Sequence, residues 1–257
     1  MMEINTVEIF LSDNYVRIEL SDGKKYRILL KDYENLPFEC NPESRLENIK
    51  IDTEKIGLSE TNGYFDGDCA AFLGFLSKKH AIYKSAIAKV ALTDIPKKQL
   101  FQKLFFAVRK NGGIDTETAK TLCALVCAEF EAHGYIDDRR YAAEKAKYLK
   151  EYKKYGKGKI KEQLYQKGIP GDIINETLED EYFSDEEEEL SNMRELLEKK
   201  YGKQLDKMDK SDKNAAQKAI SMLVRNGYRY QAAKNEIAKL LEETDIDYME
   251  DEDYADE

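Results

Sequence analysis

Three stretches of this chain close on a glycine in the same way, and that recurrence limits the fold more than any other feature. They run from Leu104 to Gly112, from Ile160 to Gly168 and from Ala219 to Gly227. In each, an apolar residue stands eight and four positions before the glycine: Leu104 and Val108, Ile160 and Leu164, Ala219 and Leu223. Arg109 and Lys110, Lys167, and Arg225 place positive charge in the last turn. The glycines lie 56 and 59 residues apart. A basic last turn followed by glycine suits the helix dipole and a left-handed C-cap, so one case would be an ordinary helix end. Three at nearly constant spacing define a repeated supersecondary unit. Each glycine reads as structural, a helix stop with no contact role of its own. A repeat without chemistry points to a binding surface rather than an active site.

Charge is distributed unevenly. The net charge is −10, but nine acidic residues and no Lys or Arg lie between Glu243 and Glu257, leaving −1 for residues 1–242. A second acidic cluster spans Glu179 to Glu189. Against these, Lys147 to Gly168 holds eight lysines and only Glu151 and Glu162. Overall charge is therefore a poor guide to partners. No apolar run reaches the roughly 20 residues needed to cross a bilayer. The first residues lack a signal-peptide pattern, so a cytoplasmic protein with no membrane partner is expected. Cys40, Cys69, Cys123 and Cys127, with His80 and His133, show no ligand spacing; Cys123 and Cys127 share a helix face and read as small buried residues. No cofactor and no metal site are expected.

The first 68 residues alternate like strands over Val7–Leu11, Tyr15–Leu20 and Lys25–Leu30, with a turn at Ser21-Asp22-Gly23-Lys24, which predicts a hairpin or small meander. Leu46 to Ile56 fits either a strand or a short helix. Asn62 to Gly67 reads as a loop and places a domain boundary there. From Asp68 the period becomes helical. Phe72, Phe75, Leu76, Ile82, Tyr83, Ile87 and Val90 stripe a long first helix; a second carries Leu100, Leu104 and Val108; a third, opened by Asp115 or Thr116, carries Leu122, Leu125, Val126, Glu129 and Phe130. Three helices per glycine-to-glycine interval follow. The expected layout is a β-rich N-terminal domain (1–68), three-helix repeats at 69–135, 136–182 and 183–242, and an acidic disordered tail (243–257). Stacked repeats of this kind predict a mainly α, elongated, curved body.

Gly134-Tyr135-Ile136-Asp137-Asp138-Arg139-Arg140-Tyr141-Ala142 resembles a segment of the RecX family, bacterial regulators of the recombinase RecA. Gly156 to Leu164, followed by Lys167-Gly168-Ile169, is similar to the family's basic second-repeat helix, and Asn226-Gly227-Tyr228 with Ile237 to its third repeat. The resemblance covers about residues 70–242, and the β-rich segment is similar to an extension on longer members. Gly112-Gly113-Ile114 departs from the family's basic-glycine-aromatic turn, Phe105 and Phe106 crowd the helix before it, and the acidic tail lies outside the family pattern. The resemblance implies a monomeric, non-enzymatic regulator. It would bind RecA in its filament groove, contact single-stranded DNA weakly or through the filament, and inhibit recombinase activity in DNA repair and the SOS response.

The residues themselves offer one strong candidate face. Arg139, Arg140, Lys147, Lys150, Lys153, Lys154, Lys157, Lys159, Lys161 and Lys167 alternate with Tyr141, Tyr148, Tyr152, Tyr155 and Tyr165. Cations neutralise phosphates and tyrosines stack on exposed bases, but the same set also suits an acidic protein surface. The expected contact residues are Arg139, Arg140, Lys153, Lys154, Lys157, Lys159, Lys161 and Lys167, for RecA or DNA, or for DNA alone if the chain is a stand-alone nucleic-acid-binding protein. Only the middle repeat reads as densely positive. Asp137 and Asp138 cap a helix and do not form a metal site. Asp185 to Glu189 suit a helix start. The tail is either a solubility segment or an internal competitor for the lysine-rich face. Gly156-Lys157-Gly158-Lys159 lacks the spacing of a phosphate-binding loop.

Overall fold

The computed structural model describes residues 4–36, 45–50, 64–179, 183, 186–201 and 213–240. The tail from 243 to 257, Cys40, and Ser184 and Asp185 at the opening of the third repeat lie outside these residues. The chain forms two compact halves, residues 1–137 and 138–257.

In the N-terminal half, β1 (Ile4–Phe10), β2 (Tyr15–Leu20) and β3 (Lys25–Leu29) make an antiparallel meander in that order. Gly23 turns β2 into β3 at φ 81°, donating its N–H to the Leu20 carbonyl at 2.9 Å. Alternation along β2 buries Val16, Ile18 and Leu20 on one face, where they meet Ile28 and, from the helix α2 (Cys69–Val90), Phe72, Leu73 and Leu76. A short helix, α1 (Leu30–Glu34), follows β3.

Residues 64–67 are not a loop. Strand β5 (Tyr64–Asp68) pairs antiparallel with β4 (Arg45–Lys50), Lys50 opposite Tyr64 and Leu46 opposite Gly67. Gly63, Asp66 and Gly67 signal a turn locally, whereas the pairing partner lies more than a dozen residues upstream, beyond the reach of a local pattern.

Helix α2 packs with α3 (Lys97–Asn111) and α4 (Thr116–Ala132) around Ile82, Ala86, Leu100, Leu104, Leu122, Val126 and Phe130. Its first turns thus serve the sheet and its later turns the three-helix core. Of the stripe read from the sequence, Ile87 alone is exposed, at 48%, while Leu73 and Ala86 join the buried face. Asp115 caps α4, accepting the Thr118 N–H at 2.9 Å. Cys123 and Cys127 are buried on α4, and burial pushes their thiols up to about 11 and about 12. An ionic cluster ties the sheet side to the helices. Lys79 of α2, wholly buried, donates to Asp32 of α1 at 2.8 Å and pairs with Glu129 of α4; Lys31 reaches Glu129 at 2.7 Å.

In the C-terminal half, α5 (Asp138–Glu151), α6 (Lys157–Lys167) and α7 (Gly171–Glu179) close on Ala142, Ala146, Leu149, Ile160, Leu164 and Ile174, with Phe183 packed beneath. Helices α8 (Glu186–Tyr201), α9 (Lys213–Arg225) and α10 (230–240) close on Met193, Leu197, Ala219, Leu223, Ala233 and Ile237. The positions eight before each glycine, Leu104, Ile160 and Ala219, are all buried; four before, Leu164 and Leu223 are buried and Val108 packs at the core edge.

One glycine does far more than stop a helix. Gly227, at φ +94°, lies against the segment before α6: the Gly156 N–H donates to the Asn226 carbonyl at 2.8 Å, and the Gly158 N–H to the Gly227 carbonyl at 3.0 Å. A methyl group on Gly227 would stand 2.7 Å from the Gly156 carbonyl oxygen, and one on Gly156 would stand 2.6 Å from the Gly227 carbonyl carbon. The two backbones cross where neither can carry a side chain. Gly227 thus has a packing role beyond stopping its helix, and the crossing accounts for Gly156 and Gly158 without any phosphate-binding role. Tyr228, buried beside the crossing, donates its hydroxyl to the Lys154 carbonyl at 2.9 Å. Burial drives that phenol's pKa well above the usual tyrosine range. Tyr228→Phe should therefore lower stability by about 1–1.5 kcal/mol, the usual worth of one buried hydrogen bond. Urea denaturation checks this through the midpoint at unchanged slope.

Candidate binding face

Helix α5 turns its small residues Ala142 and Ala146 inward and leaves Arg139, Arg140, Lys147 and Tyr148 outside, as its 3.6-residue period requires. Beyond its end, Tyr152 is 68% exposed and stacks on Tyr148, ring centroids 5.4 Å apart. The Lys145 ammonium lies 5.0 Å and that of Lys153 6.0 Å from the Tyr148 ring centre. Within the tyrosine series the structure separates roles: Tyr141 and Tyr155 pack against the core, while Tyr148, Tyr152 and Tyr165 are exposed.

The lysines divide in the same manner. Arg139 is exposed and ion-paired with Glu176 of α7, and Arg140 and Lys153 are exposed. Lys161 is exposed and donates to the Asn175 side chain at 3.0 Å. Lys159 pairs with Glu162 at 2.7 Å; Lys157 and Lys167 are half-buried. Lys154 is half-buried and points to the third repeat, pairing with Glu195 at 2.9 Å. Lys150, buried, meets Glu188 at 2.5 Å. The acidic opening of α8 thus supplies a partner for a buried lysine as well as meeting the helix dipole.

Positive charge is not confined to the middle repeat. Helix α3 carries Lys97, Lys98, Lys103, Arg109 and Lys110 and no acid; α9 carries Lys213, Lys218 and Arg225 and no acid; α6 carries four lysines and Glu162. The second helix of each repeat is the basic one. The helix dipole explains the basic last turns but not the lysines at the openings, Lys97 and Lys98, Lys157 and Lys159, and Lys213, because a helix N-terminus favours anions. Helices α4, α5, α7 and α8 have acid in their first turn, whereas α3, α6 and α9 have none. The signal was present in the sequence but spread over 15 residues of α3, where it looks thinner than the lysine run at 147–167.

Fold and face together describe a mainly helical protein of three-helix repeats with a small N-terminal sheet and repeated basic helices. Residues 137–178 match the family model described as RecX, second three-helix domain. Two relatives named Regulatory protein RecX, from Clostridium perfringens strains SM101 and 13, are each 29% identical over 221 residues, covering 78% of this chain and 97% of the relative. A crystal structure of regulatory protein RecX aligns with a TM-score of 0.63 at 16% identity, over 95% of this chain and 100% of the other. The crystal structure of RecX from Lactobacillus salivarius aligns with a TM-score of 0.50 at 19% identity, over 63% of this chain and 96% of the other. The 95% coverage means that the likeness in fold takes in the N-terminal sheet. Among the described residues no helix is long and apolar enough to cross a membrane, and no cluster of His, Cys, Asp or Glu could hold a metal ion.

Proposed function

We propose that this chain is a cytoplasmic regulator of RecA, acting without catalysis by binding the recombinase filament on single-stranded DNA and inhibiting its activity. The match of residues 137–178 to the RecX second three-helix domain carries this reading, supported by relatives named as regulatory proteins over most of the chain. The contact face is formed by Arg139, Arg140, Lys153, Lys157, Lys159, Lys161 and Lys167; Lys154 serves chiefly to hold the third repeat, through Glu195. Exposed charge of one sign on a helical surface steers association with an oppositely charged partner and sets its register. The test is the combined reversal Lys157→Glu, Lys159→Glu and Lys161→Glu. Inhibition of RecA ATPase and strand exchange should weaken at least tenfold in effective concentration, more so at low salt. Undiminished inhibition would remove α6 from the face.

A second reading, direct binding of single strands, is favoured by the Tyr148–Tyr152 stack with its two flanking ammonium groups. Tight binding to free oligonucleotide, with no preference for preformed filament, is its signature.

A further inference from the structure

We infer that helix α3 of the first repeat is a separate contact site for unpaired nucleobases, with Phe106 as the stacking ring and Lys103, Arg109 and Lys110 as phosphate partners. Phe106 is 72% exposed, although its neighbours Phe101 and Phe105 pack at the core edge with their rings stacked 6.0 Å apart. Lys103, Arg109 and Lys110 stand three before, three after and four after it, so all share its helix face, and all three are exposed. A bare aromatic ring amid cations costs a folded chain solubility and adds nothing to its core.

These charges are also less committed than those of the middle repeat. Among the described residues, Lys103, Arg109 and Lys110 make no ion pair. The acids of α4, the helix packed beside α3, are engaged elsewhere: Glu117 with Lys120, Glu129 with Lys31 and Lys79, Glu131 with Lys97. Helix α6 repeats only part of this, with Tyr165 73% exposed and Lys161 one turn before it, while Lys167 is half-buried and off that face. On α3, an exposed ring set among cations matches a flat base beside its phosphates. Duplex DNA hides the faces of its bases, so the ligand is single-stranded. This proposal does not depend on the RecA reading.

Fluorescence anisotropy on the full chain tests it, with a labelled oligothymidylate of about 20 nucleotides, the matching duplex, and polyphosphate as an anion without bases. Phe106→Ala should weaken oligothymidylate binding by about five- to a hundredfold, the range for one base–aromatic stack, and leave polyphosphate binding unchanged. The combined Lys103→Ala, Arg109→Ala and Lys110→Ala change should weaken both and flatten the log–log salt slope by about 2. Unaltered melting of the variants by circular dichroism confirms that they fold. No oligothymidylate binding at low salt, undiminished binding by Phe106→Ala, or equal loss for polyphosphate overturns the proposal. So does a triple variant that loses RecA inhibition while keeping oligonucleotide affinity, which would assign α3 to an acidic protein surface. Oligonucleotide binding by a chain that leaves RecA unaffected would sink the RecA reading and leave this one standing.

Discussion

Gly227→Ala is expected to destabilise the C-terminal half by about 3–5 kcal/mol, among the largest effects open to a single added methyl group. Two costs combine. A non-glycine residue at φ +94° carries strain of order 1–3 kcal/mol. The methyl group must also push apart two backbones, because its nearest neighbours are the Gly156 carbonyl oxygen and the Lys159 backbone, neither of which can rotate away as a side chain would. Separating them also weakens the Gly156–Asn226 and Gly158–Gly227 hydrogen bonds. The melting transition should fall by roughly 10–20 °C. Two further variants distinguish the costs. Gly134→Ala, at φ +71° with nothing within 4 Å of the new methyl group, carries only the backbone strain. Gly156→Ala, at φ −72°, carries only the collision. If Gly227→Ala melts no lower than Gly134→Ala, the crossing is looser than drawn.

Lys79→Met is expected to cost about 3–5 kcal/mol at neutral pH, since it takes the ion-pair partner from buried Asp32 and leaves buried Glu129 with Lys31 alone. The methionine fills the same volume, so the loss reports charge rather than a cavity. Its sign with pH is diagnostic. Burial already raises the pKa of Asp32 even with Lys79 beside it, and removing the lysine raises it further. A carboxylate whose folded pKa exceeds its unfolded value contributes stability at low pH that is lost as pH rises through the folded pKa. The deficit of the variant against the parent should therefore shrink from pH 8 to pH 5. His80, buried and with its pKa lowered by burial and nearby cations, opposes acid in both proteins alike and drops out of the difference. Urea denaturation at the two pH values measures it; a deficit that grows on acidification would count against the cluster.

Much of the fold was legible because it rests on local periodicity. The strands of the meander, the turn at Gly23, the cap at Asp115 and the buried positions eight before each glycine follow from patterns a few residues long. What escaped depends on distance in the chain. The partner of Gly227 lies some 70 residues earlier, and strand β5 is recognisable only beside β4. Lys79 was invisible for another reason: a lysine in a helix reads as solvated until an acid from each of two other elements encloses it. The positive charge was seen where it is dense, at 147–167, and missed where it is dilute, on α3 and α9. Phe106 reads as one more core aromatic, and only its exposure sets it apart from Phe101 and Phe105. Conversely, Lys150 and Lys154 look like contact residues in sequence and turn out to hold the second repeat to the third.

Helix α2 belongs to two cores, giving Phe72, Leu73 and Leu76 to the sheet and Ile82 and Ala86 to the first repeat. A helix cannot melt at one end of its hydrogen-bonded ladder without exposing the rest to fraying, so the sheet and the first repeat should open as one foldon. Amide hydrogen exchange along β2 and α4 should then proceed at a common limiting rate. The N-terminal segment is in that sense no detachable accessory: a chain beginning at residue 69 would bare three large apolar side chains and leave Lys79 without Asp32. Trimming the protein to its repeats would remove part of the first repeat's own foundation.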